Sequence, residues 1–276
     1  MTSAPPGAFA KPSPIVRNRT KQLLLDGELA LGMGLRQART VDIAAIAQSA
    51  DFDWLFIDME HNSMSVDTAA QICAAALDTG VTPIVRVPGH EHFHASRVLD
   101  AGALGIVVPH VNTAEEAQAV VSFCRFPPAG RRSVAGGQPQ LRFATLAMAE
   151  AVALINDEIL VVVMIETPEG VENVDAIAAV PGVDVLLVGG SDLSAEYGIP
   201  GEFDHPRIVA AFEKTSAACE RNGKILGLGG IYDHAIMERY IKMGSQFILS
   251  GSDLSFLVAG ARLRSGFLRA LDRVPA

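Results

Sequence analysis

The chain has 276 residues, 49% hydrophobic and 19% charged, which suffices for one large hydrophobic core in a single domain. A net charge of −9 without any Lys/Arg cluster excludes a nucleic-acid surface, which needs a basic stripe, and admits acidic small molecules only where local cations receive them. No apolar run approaches the roughly 18 residues of a membrane span, so a membrane partner is excluded as well.

The N-terminal stretch "MTSAPPGAFAKPSPIVRNRT" lacks the continuous apolar segment of a signal peptide. A cytoplasmic protein is expected, with residues 1–20 as a poorly ordered, Pro-rich arm and residues 21–276 as the folded domain. Beyond the arm, short apolar runs alternate with amphipathic stretches: "ALGMGL" (30–35), "WLFIDM" (54–59), "TPIVRV" (82–87), "GIVVPH" (105–110), "ILVVVMIE" (159–166), "DVLLVGG" (184–190), "KILGLGG" (224–230) and "QFILSG" (246–251). Continuous rather than alternating hydrophobicity marks parallel strands covered on their outer face, and the intervening segments carry helical spacing. Eight strand–helix units predict a (β/α)8 barrel, with an open doubly wound sheet as the alternative. The long connection from His110 to Ile159, with "RFPPAGRRSVAGGQPQLRF", is expected to be a lid or an oligomer contact. Cys73, Cys124 and Cys219 sit singly inside helical stretches, as reduced core residues rather than a disulfide or zinc framework.

Catalytic groups of such barrels gather at the C-terminal ends of the strands. Here those ends carry Asp58, Glu60, His61, Arg86, His110, Glu166 and Asp192. Thr167 and Pro168 supply the cap and first turn of the helix after the fifth strand, which frees Glu166 for another task. Asp192 in "GGSDLS" either caps a helix or joins Glu166. Two carboxylates ending neighbouring strands, with no basic residue beside them in sequence, repel unless a cation lies between them. A hard divalent ion such as Mg²⁺ or Mn²⁺ fits two carboxylates plus waters and leaves positions open for a 2-oxo acid; the expected cofactor is a divalent metal, Mg²⁺, Mn²⁺ or Co²⁺. The amides of Gly190, Ser191 and Asp192 at a helix start, and the guanidinium of Arg86, then suit the substrate's carboxylate and developing enolate. Two competing patterns exist. His90, His92 and His94 alternate in a zinc-like "GHEHFH" without a fourth ligand, and "GSDLS" recurs at 251–255, so Asp253 competes with Asp192 on spacing alone.

The motifs "DWLFIDMEHN", "PIVRVP", "RVLDAGALGIVVPHVNTAEEA", "MIETPEGVENVDAI" and "GVDVLLVGGSDLS" together resemble, over roughly residues 20 to 265, the metal-dependent (class II) pyruvate aldolases of the HpcH/HpaI family. The resemblance implies a (β/α)8 barrel, assembled as a trimer or hexamer with exchange of the C-terminal helix, that cleaves 4-hydroxy-2-oxo acids to pyruvate and an aldehyde. By motif it implies Glu166 and Asp192 as metal ligands, Arg86 beside the keto oxygen, His61 as general base and Asp100 as the acid pairing with that histidine, within a subunit or across an interface. Two departures stand out. Met164 occupies a position where the family commonly has Gln, and "RRSVAGGQPQLRF" differs from the family's usual pattern. A Schiff-base aldolase needs a lysine at a strand's C-terminal end, and none of Lys11, Lys21, Lys214, Lys224 and Lys242 falls there. A lyase for a larger thioester and a non-catalytic oxo-acid-binding barrel remain as alternatives, the latter favoured by Met164.

Overall fold

A computed structural model describes residues 15–271. Eight parallel strands, β1 (Ala30–Leu35), β2 (Trp54–Asp58), β3 (Thr82–Arg86), β4 (Gly105–Val108), β5 (Leu160–Ile165), β6 (Val185–Gly189), β7 (Ile225–Gly229) and β8 (Ser245–Ser252), follow one another around a closed barrel. Closure comes from β8 pairing with β1, Ala30 against Phe247 and Leu31 against Ile248, which rules out the open-sheet alternative. The fold is the (β/α)8 barrel that the sequence predicts.

Continuous hydrophobicity has its physical reason in two separate cores. Outward residues such as Leu55, Ile57, Val85, Ile106, Val163 and Leu186 pack beneath the surrounding helices. Inward residues such as Trp54, Phe56, Ile84, Val107, Val162, Met164 and Leu187 fill the barrel. Each fully buried aliphatic or aromatic side chain contributes roughly 1.5–3 kcal/mol. The barrel floor is closed by Trp54, whose ring stacks on Phe247 with centroids 4.0 Å apart and whose indole N–H donates to the Ala30 carbonyl at 3.1 Å. A Cβ on Gly32 would stand inside the volume of the Trp54 ring, so β1 passes that ring only as glycine. With the floor sealed, the strands' C-terminal ends are left as the open face.

Of the segment expected to form an arm, residues 1–14 lie outside the described residues. Residues 15–20 pack onto the domain: Asn18 is buried, and its side-chain amide donates to the carbonyls of Leu104 (3.0 Å) and Glu158 (2.7 Å). The connection after β4 contains the helices Ala114–Cys124 and Met148–Glu158 with a short turn at Pro139–Leu141 between them. Buried Gln140 donates to the carbonyls of Leu99 (2.5 Å) and Ala103 (3.0 Å), and Arg132 bonds Asp100 (2.5 Å). Both interactions tie the segment to the C-terminal end of helix His92–Asp100, at the floor. Of the two expectations for this connection, lid and oligomer contact, the lid is not met, because these ties hold it at the end of the barrel opposite its mouth. Cys73, Cys124 and Cys219 are free and buried, as expected. Helix Asp253–Arg269 closes the chain and buries none of its residues. Among the described residues no helix is long and apolar enough to cross a membrane.

Candidate active site

Strand periodicity sets the site. Asp58 lies two residues beyond Phe56, Arg86 two beyond Ile84, and Glu166 two beyond Met164, so each continues an inward-facing row one layer above the apolar filling. In the same layer β6, β7 and β8 carry Gly189, Gly229 and Gly251. The absence of side chains there opens a cavity of about 220 Å³, lined by Arg36, Asp58, His61, Arg86, Met164, Ser191, Asp192 and Tyr232 among others.

Arg86 is the most heavily engaged of these groups. Register pairs it directly with Asp58, and its guanidinium donates to both Asp58 oxygens, Nε to Oδ1 at 3.0 Å and Nη2 to Oδ2 at 2.8 Å. Its Nη1 lies 2.9 Å from Glu60 Oε2, and its plane covers the Phe56 ring at 4.9 Å. Burial pushes the Asp58 carboxyl up, but the Arg86 hydrogen bonds and charge, with the Glu60 and His61 amides, outweigh it and hold Asp58 below the ordinary carboxylate range. Those same two amides bend the chain after β2 around Asp58 Oδ1. That bend aims His61, whose Nε2 lies 3.7 Å from Glu60 Oε2, into the mouth.

Glu166 has the opposite environment. Its Oε1 accepts the His110 amide at 2.7 Å and faces His110 Nδ1 at 3.3 Å, while its Oε2 is buried without a hydrogen-bond partner among the described residues. Burial pushes its pKa up to about 7, the His110 and Arg86 interactions opposing the rise and the nearby Asp192 charge adding to it. His110 reaches this position through a left-handed backbone conformation, φ 51°, which turns both its amide and its ring toward Glu166. A Cβ on Gly189 would lie 2.5 Å from Glu166 Oε2 and 3.1 Å from the Met164 terminal methyl, so glycine is required for the carboxylate to occupy this niche.

The chain matches the family model described as HpcH/HpaI aldolase/citrate lyase over residues 35–259. The chain belongs to this family. It is 43% identical to the 4-hydroxy-4-methyl-2-oxoglutarate aldolase of Hapsidospora irregularis, covering 90% of this chain and 94% of that protein. It is 34% identical to the 5-keto-4-deoxy-D-glucarate aldolase of Shigella boydii, over 87% and 92% of the two. Among solved structures, the HpcH/HpaI aldolase from Desulfitobacterium hafniense superposes with a TM-score of 0.87 at 31% identity, covering 93% of this chain and 98% of that one. Membership of the HpcH/HpaI family, with named aldolases at this identity over most of the chain, makes the protein a carbon–carbon lyase.

In this HpcH/HpaI barrel the predicted site residues separate into two groups. His61, Arg86, Glu166, Ser191 and Asp192 come together at the mouth, whereas buried Gly190 is not part of the cavity lining and abuts Ile231. Asp100 does not join them within the chain: it ends helix His92–Asp100, which runs down to the floor, and its carboxylate takes Arg132. The two "GSDLS" copies are placed differently: Asp192 lines the cavity near Glu166, whereas Asp253 accepts the amides of Arg36 (2.8 Å), Gln37 (2.9 Å) and Ala38 (2.6 Å). The triple-histidine pattern does not form a zinc cluster. His90 Nε2 bonds the Pro109 carbonyl at 2.7 Å, and among the described residues no three His, Cys, Asp or Glu side chains gather as a ready cage. Asp58, Glu60 and Arg36 were not assigned roles from sequence. The two-residue rhythm of "WLFID" carries the signal for Asp58, while the approach of Arg36 to Asp58 follows from the pairing of β1 with β2 and its contact with Asp253 from closure of β8 onto β1.

The residues present fit a divalent cation. A buried carboxylate oxygen without a donor, near a second carboxylate in the first turn of the helix after β6, is a costly arrangement for a protein to keep unless a positive group completes it. Two protein oxygens leave the remaining coordination positions for water and substrate, as hard ions prefer.

Proposed function

We propose that the chain is a metal-dependent pyruvate aldolase that cleaves 4-hydroxy-2-oxo acids to pyruvate and a carbonyl product. The observation that carries this reading is the unpartnered Glu166 Oε2, set beside Asp192 on the same mouth as the Asp58-anchored Arg86. Glu166 and Asp192 would hold the Mg²⁺, Mn²⁺ or Co²⁺ ion. When bound, that ion supplies Lewis-acid polarisation of the 2-keto group and charge stabilisation of an enolate.

The chain's own residues supply the rest. Arg86, held rigid by Asp58, offers a fixed positive charge beside the keto oxygen, and preorganised charge of this kind is the largest contribution in such reactions. His61, at the cavity mouth, takes the proton of the C4 hydroxyl. The C4–O bond becomes a carbonyl, the C3–C4 bond breaks, and its electron pair stays on C3 as the enolate of pyruvate, which gains a proton at C3. The turn at Gly190, Ser191 and Asp192 receives the keto acid's carboxylate. Met164, buried in the wall under Gly189, packs an apolar side chain against the site, so the polar steering falls to Arg86 and His61.

The assembly belongs to the same proposal: a cytoplasmic homo-oligomer, trimer or hexamer, in which helix Asp253–Arg269 is exchanged. It is supported by that helix burying nothing while exposing Leu257, Leu263, Phe267 and Leu268. Pairing of Asp100 with a histidine would then have to come from another subunit, since within the chain its carboxylate takes Arg132.

The test uses pyruvate in D₂O, followed by NMR of the methyl signal after the metal is removed by chelation. Metal-stripped protein should not exchange the methyl protons, and protein supplied with Mg²⁺, Mn²⁺ or Co²⁺ should. Glu166→Ala should abolish metal binding and exchange together, whereas His61→Ala should bind metal and lose aldol turnover. Metal-independent exchange, or turnover at the normal rate in either variant, would sink the assignment.

A further inference from the structure

We propose that Arg36 is the receptor for a second carboxylate, carried on the half of the substrate that leaves as the carbonyl product, and that it makes the enzyme selective for dicarboxylic 4-hydroxy-2-oxo acids. The inference rests on the aldolase reading above and names the substrate class of that same site.

Three observations support it. Arg36 lines the cavity and is half-exposed at its mouth. Its guanidinium makes no hydrogen bond to any described residue. The acid it approaches most closely is Asp58, at 4.0 Å from Oδ2, and that oxygen already accepts Arg86 Nη2 at 2.8 Å. Oδ1 is filled by Arg86 Nε and the Glu60 and His61 amides. Asp58 thus leaves the Arg36 donors free, and a guanidinium fork is suited to a carboxylate taken bidentately.

The backbone beneath Arg36 is built with unusual care for a surface residue. Asp253, from the far end of the chain, accepts the amides of residues 36, 37 and 38, and the Arg39 guanidinium donates to the carbonyls of Arg36 (3.1 Å) and Ala38 (2.9 Å). Five hydrogen bonds fix a four-residue turn whose only unpartnered charge faces the cavity. Preorganisation of this sort lowers the cost of ordering a charged side chain on binding. Arg86, by contrast, already faces Asp58 and Glu60, and cannot serve a second anion as well as the keto group. Tyr232 lines the same cavity and adds a phenol donor to its wall.

The experiment compares two substrates that yield the same pyruvate enolate, with pyruvate release read by a coupled dehydrogenase and divided by two for the first, whose carbonyl product is itself pyruvate. One is 4-hydroxy-4-methyl-2-oxoglutarate, whose leaving half bears a carboxylate; the other is 4-hydroxy-2-oxovalerate, whose leaving half is neutral. Wild-type protein should prefer the dicarboxylate. In Arg36→Met the ratio of the two kcat/KM values should fall about 10- to 100-fold, the loss expected for hydrogen bonds to a charged group, with Arg36→Lys in between. A third substrate with phosphate in place of the second carboxylate separates the two anions, and faster turnover of it by the wild type overturns the carboxylate assignment. A ratio unchanged in Arg36→Met, with wild-type exchange of pyruvate protons intact, overturns the role of Arg36 alone. Absence of exchange in the metal-loaded wild type overturns the aldolase reading and this inference with it.

Discussion

Metal-free protein should lose stability as the pH rises from 5 to 8, and Glu166 should be the cause. Its carboxyl is raised from 4.5 to about 7 by burial, so the folded chain holds the proton more tightly than the unfolded one. Stability from this group is therefore fully present below about pH 4.5 and is lost as pH climbs through about 7. At about 1.4 kcal/mol per tenfold change in proton affinity, the whole displacement is worth roughly 3 kcal/mol, of which about 2.5 falls between pH 5 and 8. For a domain of this size that is a fall of about 5–10 °C in Tm. Asp58 does not confuse the measurement, since its lowered carboxyl acts in the other direction: its stability is present above the ordinary carboxylate range and is lost in acid. Thermal melts of chelator-treated protein at fixed concentration, wild type against Glu166→Gln, read the difference directly. The wild type should show the fall and the variant should not, and added Mn²⁺ should restore more Tm at pH 8 than at pH 5. Parallel pH curves for the two proteins would refute the reasoning.

Arg86→Leu should destabilise the fold by about 3–5 kcal/mol in denaturant melts, because it leaves the buried Asp58 charge without its bidentate partner, and it should end pyruvate proton exchange. Gly32→Ala sets a methyl group into the Trp54 ring and should cost about 1–3 kcal/mol as overpacking, with metal affinity measured by calorimetry little changed. Leu257→Asp, on the exposed face of the C-terminal helix, should reduce the assembly to a smaller species in light scattering, while an unchanged mass would show that this helix does not hold subunits together.

Much of the architecture was legible because a parallel barrel leaves a strong trace in sequence: both faces of each strand are buried, so "VVVMI" and "VLLVG" read as unbroken apolar runs. The site was legible to the extent that strand rhythm carries it. Glu166 and Arg86 follow inward-facing residues by two, and their polarity interrupts an apolar run where a barrel opens to solvent. The role of Asp58 obeys the same rhythm, yet its partner is fixed by the register between β2 and β3, which no local pattern reports. Contacts across the whole chain were illegible for the same reason. Only closure of β8 onto β1 brings Asp253 beneath Arg36, so the second "GSDLS" looks in sequence like a copy of the first while doing different work. The connection after β4 stays open in sequence because its Gly, Pro and Arg content suits a mobile lid as well as a packed segment, and the choice between them depends on buried Gln140 finding the end of a helix.

Charge balance ties the site together. At the mouth Arg86 is shared between Asp58 and Glu60, which leaves Glu166 and Asp192, with only His110 set against Glu166 Oε1, as a carboxylate pair without a cation shared between them among the described residues, and Arg36 as a cation without a committed partner. A divalent ion at the pair and a dianionic substrate spanning from that ion to Arg36 would satisfy both at once, and would place the scissile C3–C4 bond between the positive groups at either end. Neither half of the arrangement is favourable alone: the ion would leave Arg36 unused, and the dianion would meet the repulsion of the two carboxylates. Binding of metal and of dicarboxylate should for that reason be mutually reinforcing, each raising the affinity of the other by the same factor.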